Sequence, residues 1–184
     1  MNEVQLRDFW DQENGGFFTT AKDSERLLIR SKEVYDGAIP SGNSVSMLNL
    51  IRLGHITARP EYIEKAHRIG NAFSEEVTAS PSAYSQLMMA IDFALGPAYQ
   101  VIICGNKNSS DTRRMLDKIW RVFLPNIVVV FYPTGMKSTP IERRIPFIKE
   151  YSTINDRATA YVCTDYQCQR PTNDADHMLK LLGK

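Results

Sequence analysis

Apolar residues recur at helical spacing through the first half of the chain and in short unbroken runs through the second. Val45, Met47, Leu48, Leu50 and Ile51 follow one another at the spacing of a helix, with Gly54 placed to end the run. Pro60 fits the first turn of a second helix, where Glu61 suits the positive end of the helix dipole. Tyr62, Ala66, Ile69, Phe73 and Val77 make one apolar stripe along it. Ser80-Pro81 signals a third start, a capping hydroxyl before a first-turn proline. The predicted buried face of this helix is Tyr84, Leu87, Met88, Ile91 and Leu95, and Gly96-Pro97 stops it. Upstream, Trp10-Asp11 leads into Gly15-Gly16-Phe17-Phe18-Thr19-Thr20, which reads as a tight turn into a short strand. Leu27-Leu28-Ile29-Arg30 is strand-like, and Asp36 to Asn43 is a loop by composition.

The pattern changes at Tyr99. Val101-Ile102-Ile103-Cys104 and Ile127-Val128-Val129-Val130-Phe131 are continuous apolar runs, typical of strands buried on both faces. Between them, Ser109 or Ser110 can cap a helix carrying Met115, Leu116, Ile119 and Phe123. This strand–helix–strand unit predicts a right-handed parallel crossover. Ala160-Tyr161-Val162-Cys163 is a third strand, and Thr172 or Asn173 caps a terminal helix with Met178, Leu179 and Leu182. The expected fold class is α+β. Residues 1–97 form a partial helical-hairpin, α/α-barrel-like region, and residues 98–184 a small α/β unit with a parallel sheet.

Composition narrows the function classes. The chain has 184 residues, 43% hydrophobic and 23% charged, enough for a packed core. The net charge of +1 gives no bulk attraction to nucleic acid or anionic lipid. Pairs such as Arg113-Arg114 and Arg143-Arg144 are the usual chemistry of solvated helix faces. The polar start MNEVQLRDFWDQ has no apolar signal region, and no run approaches the roughly 20 apolar residues that span a bilayer. The expectation is a cytoplasmic protein whose Cys104, Cys163 and Cys168 are reduced, with a reversible Cys163–Cys168 disulfide as the alternative. The four-residue gap between Cys163 and Cys168 lacks a second pair, and His177 would be only a third ligand, so no metal is expected. Gly105 to Asp111 sits where parallel sheets hold phosphate. It lacks the full glycine fingerprint, and Asp111 would repel an anion, so no cofactor is expected.

The segment from Lys32 to Ser44 is the strongest candidate site. Glu33 and Asp36 can serve as general acid and base, and Lys32, Ser41 and Asn43 can hydrogen-bond a polyol. Trp10 can stack on a sugar face with Asp11 beside it. The same residues also suit plain architecture. Asp36-Gly37 is turn chemistry, Ser41 or Asn43 is an N-cap, and Trp10, Phe17 and Phe18 are core-forming aromatics.

Three stretches carry a family resemblance: Phe9-Trp10-Asp11 with Gly15-Gly16-Phe17-Phe18; Lys32 to Ser44 followed by Leu48-Asn49-Leu50 and Arg52-Leu53; and Ala158 to Cys163 with Cys168 and Pro171. In order and spacing they resemble the end of a YyaL-like protein, a family related to the spermatogenesis-associated thioredoxin/barrel proteins. The resemblance covers almost the whole chain, and the middle stretch is its most specific part. It implies an N-terminal thioredoxin-like domain with a Cys-x-x-Cys site. A barrel of paired helices follows, similar to six-hairpin glycosidases and sugar 2-epimerases, and then a small α/β tail. On that reading this chain begins inside the barrel, supplies about three of its helices and is a split or truncated product. His55 and His67 match no histidine acid/base motif of epimerase-like barrels. Two functions are expected. One is binding or transforming a carbohydrate-like molecule in the intact protein. The other is a structural and interaction module that completes the barrel, docking the missing N-terminal part or self-associating.

Overall fold

The computed structural model describes residues 2–24, 29–135, 139–164 and 167–184. They form two compact units, Met1–Gly54 with Arg59–Leu95, and His55–Ala58 with Gly96–Lys184.

The first unit is helical. Its elements are α1 (Asn2–Asp8), α2 (Gly42–Thr57, of which the last turn groups with the second unit), α3 (Pro60–Ala72), α4 (Ser74–Ala79) and α5 (Ser85–Leu95). Gly54 does not end α2. The helix continues to Thr57, and Ala58 stops it by turning to a φ of 53°. The stripe expected on one helix is divided at Phe73, which separates α3 from α4. The predicted strand after the double glycine is instead a pair of isolated bridges, Trp10 with Phe17 and Phe18 with Lys32. The strand-like run at residues 27–30 lies partly outside the described residues.

The orientation of α5 departs from the sequence pattern. Leu87, Ala90 and Phe93 are buried, whereas Met88, Met89 and Leu95 are 38%, 53% and 83% exposed. The outward face of the helix therefore carries three apolar side chains set around Ser85 and Asp92.

The second unit holds β1 (Tyr99–Gly105), α6 (Ser110–Trp120), β2 (Ile127–Pro133), α7 (Pro140–Arg144), β3 (Thr159–Thr164), β4 (Gln167–Cys168) and α8 (Ala175–Leu181). The described strands make one four-stranded sheet in the order β2-β1-β3-β4. β1 and β2 are parallel, as a crossover through α6 requires, while β3 returns antiparallel to β1. The sheet is thus mixed. Val101, Ile103, Met115, Ile119, Val162 and Met178 pack one face, and Ile102, Cys104, Val130, Ile145 and Ile148 the other. The terminal helix is capped by Asp174, whose side chain accepts from the Asp176 and His177 N–H groups. Thr172 is unavailable as a cap because it pairs with Ala160, and the Asn173 amide is bonded to the Ala158 carbonyl.

The expectation of reduced thiols is corrected at one pair. Cys163 and Cys168 form a disulfide, because the β3–β4 pairing sets them directly opposite each other. Cys104 is free and buried on β1, where loss of solvation pushes its thiol up to about 12. Among the described residues no helix is long and apolar enough to cross a membrane.

Candidate functional site

The residues singled out in the first unit fall into two clusters. Around Trp10, the chain reverses through Gly15 and Gly16, both at positive φ. A Cβ at Gly15 would lie 2.7 Å from the Arg68 carbonyl oxygen, so the turn needs glycine for space as well as for conformation. Asp11 closes this turn. Its carboxylate accepts from the Glu13 and Asn14 N–H groups and from Lys32 Nζ at 2.8 Å. Lys32 also donates to the Gly15 carbonyl. Burial pushes the Asp11 carboxyl up, but the Lys32 hydrogen bond and the two backbone donors outweigh it and hold the group at about 2. Trp10 is buried against the edge of Phe17, with Lys65 Nζ 4.8 Å and the Arg68 guanidinium 5.3 Å from its ring centre. Packing and cations therefore occupy the ring that a sugar would need.

The second cluster is the segment from Glu33 to Ser44. Asp36 is buried, and both of its carboxylate oxygens are engaged by backbone. Oδ1 accepts from the Ser41 N–H at 2.9 Å and Oδ2 from the Leu87 N–H at 3.0 Å. Leu87 lies in the first turn of α5, where helix N–H groups have no intrahelical partner. Asp36 thus caps α5 from 51 residues away. Its own N–H donates to the Ala83 carbonyl, stapling the loop to the 3-10 turn at Pro81–Ala83. Ser41 caps α2 by accepting from the Ser44 N–H, and its hydroxyl also meets that of Ser44.

Asn43 joins the two clusters. Its Oδ1 accepts from the Phe17 N–H at 2.6 Å, and its Nδ2 donates to the carbonyls of Phe17 and Glu33. Lys32, Asp11, Asn43, Asp36 and Ser41 are therefore brought together as a hydrogen-bonded frame. Glu33 differs from them. Its side chain is exposed and makes no bond among the described residues. It lines a cleft of about 300 Å³ with Gln5, Phe9, Phe17, Phe18, Thr19, Gly42 and Asn43.

Sequence reasoning did not find Phe9, Gln5 and Thr19 in that cleft, nor Leu87 as the partner of Asp36. A second cleft of about 350 Å³ was also missed. Met47, His67, Asn71, Val77, Ile91 and Leu95 are among its walls. The legible signal for it is the sequence SQLMMAIDFAL of α5, which has more apolar positions than one helix face can hold. Among the described residues, no group of three or more His, Cys, Asp or Glu side chains could hold a metal ion.

No family model matches the chain. Known proteins do. Spermatogenesis-associated protein 20 of Homo sapiens is 33% identical over 183 residues, covering 99% of this chain and 23% of the human protein. The Rattus norvegicus protein of the same name is 32% identical over the same length and with the same coverage. The chain is homologous to the C-terminal part of spermatogenesis-associated protein 20. The resemblance to spermatogenesis-associated proteins carried by the motifs at 9–18, 32–53 and 158–171 is therefore matched by these relatives. An uncharacterised protein of Caenorhabditis elegans is 27% identical over 179 residues, again covering 23% of its length. The chain spans about a quarter of the length of the curated relatives it matches.

Proposed function

We propose that this chain is a non-catalytic docking segment that packs α5 against the remaining part of a longer polypeptide and so completes a helical-hairpin, barrel-like body. The observation behind this reading is the set of exposed apolar side chains on α5. Only Ser85, Gln86 and Asp92 of its eleven residues are polar. Eight of its eleven residues are apolar, more than one buried stripe holds, and Met88, Met89 and Leu95 are exposed here on the face that also carries Ser85 and Asp92. Covering Leu95 is worth about 1.5–3 kcal/mol, and covering the partly buried Met88 and Met89 proportionately less. The relatives are about four times as long, which supplies ample chain for the task. The frame around Asp36 and Asn43 supports the same reading. Glycoside hydrolysis generally needs two available carboxylates. Asp11 and Asp36 are both committed to architecture, which leaves Glu33 alone.

Met89→Lys combined with Leu95→Lys tests this reading. The two positions are exposed in the chain by itself, so the circular dichroism spectrum should not change. Binding to the rest of the polypeptide, supplied as a separate chain, should weaken by at least about a hundredfold, since two buried anchors become charged. Binding as tight as that of the unaltered chain would sink the proposal.

A second reading rests on the exposed Glu33 carboxylate, which has no bond among the described residues, in the cleft with Phe9 and Phe18. In the intact protein this cleft would hold a carbohydrate-like molecule, with Glu33 hydrogen-bonding a hydroxyl and an aromatic face beneath the ring. Glu33→Gln in the intact protein should then weaken sugar binding about tenfold in a calorimetric titration, and no change would remove this reading.

A further inference from the structure

β2 is an edge strand whose outward backbone groups have no partner among the described residues. It is bonded only to β1, and the phase of that ladder is fixed at both ends. The Tyr99 N–H donates to the Asn126 carbonyl, and the Thr134 N–H donates to the Gly105 carbonyl. A parallel ladder alternates every second residue. Hence Val128, Val130 and Tyr132 turn their N–H and C=O groups to β1, while Ile127, Val129 and Phe131 turn theirs outward. Natural edge strands are usually blunted by lysine, an internal proline, a bulge or a covering element. From Ile127 to Tyr132, β2 has no charge and no proline, and its seven residues pair with β1 in unbroken register.

We propose that this edge pairs antiparallel with β2 of a second copy of the chain, joining two four-stranded sheets into one across a two-fold axis. The chemistry of the strand selects that occupant. An unpaired edge accepts only extended backbone, and β2 is complementary to itself. With Val129 opposite Val129 of the second copy, Ile127 faces Phe131 and Phe131 faces Ile127. All three outward residues then exchange donors and acceptors with their counterparts. The side chains meeting across the junction are β-branched or aromatic, the favoured cross-strand pairs, and no like charges oppose each other. On the sheet face carrying Ile127, Val129 and Phe131, the junction extends a core already formed with Met115, Ile119 and Met178. This inference does not depend on the role given to α5.

Sedimentation equilibrium in the Met89→Lys, Leu95→Lys background tests it, since association through α5 is then removed. The chain should show a monomer–dimer equilibrium. Val129→Pro removes an N–H that β1 does not use, so the fold should persist while the symmetric Val129 bonds vanish. The dimer dissociation constant should rise about thirtyfold. Ile127→Pro, at the first strand position, should act in the same direction. Amide exchange provides a readout without a variant. Protection at Ile127, Val129 and Phe131 should grow with protein concentration, while Val128, Val130 and Tyr132 stay protected throughout. A chain that stays monomeric at its solubility limit overturns the proposal. So does a dimer indifferent to Val129→Pro, or protection of these edge amides only when the rest of the longer polypeptide is added.

Discussion

Asp36→Ala should lower the unfolding free energy of the helical unit by about 2–5 kcal/mol, read as a fall in the denaturant midpoint at unchanged slope. The reason is the number of donors left behind. The substitution orphans the Ser41 and Leu87 N–H groups, whose bonds to Asp36 are buried, and takes a negative charge from the first turn of α5. Asp36→Asn should lie between the two, since its one remaining carbonyl oxygen can serve only one of the donors. A loop carboxylate reserved for catalysis would behave in the opposite way. Its removal would cost activity and leave stability within about 0.5 kcal/mol.

Asn43→Asp should be the most damaging near-isosteric change in the unit, at about 3 kcal/mol or more, and should exceed Asn43→Ala. The alanine variant loses the acceptor for the Phe17 N–H and the donors to Phe17 and Glu33. The aspartate variant keeps that acceptor but turns an oxygen toward two carbonyl oxygens and buries a charge among them. Raising its pH from 4 to 7 should destabilise it further, because burial and the two facing carbonyl oxygens penalise the ionised form. Thermal melts at the two pH values read this directly.

Much of the second unit is legible in the sequence because β1 is buried on both faces and β2 packs apolar side chains on both. Val101–Cys104 and Ile127–Phe131 can be read from unbroken apolar runs, and the α6 crossover fixes them as parallel. The direction of β3 is not encoded locally. It depends on how the connection after β2 returns the chain to β1, and the same return brings Cys168 opposite Cys163. In the first unit, the residues of the candidate loop are correctly conspicuous, but residue type alone does not separate a site from a frame. Asp36 is a capping group only because the fold delivers Leu87 to it. Asn43 is a bracket only because Phe17 and Glu33 offer backbone on either side. The orientation of α5 was misread for a related reason. Its apolar residues outnumber the positions of one helix face, and the Asp36 tether and the packing of Leu87 and Phe93 decide which of them turn inward.

The most direct test of the docking role is amide hydrogen exchange on this chain, alone and mixed with the rest of the longer polypeptide. Docking through α5 predicts that α5 amides gain protection on mixing, as the face of Met88, Met89 and Leu95 is covered. The loop from Glu33 to Ser41 should change little, because its frame is already closed. Protection that appears at Glu33 and Phe18 while α5 exchanges as before would contradict the account and move the function to the cleft.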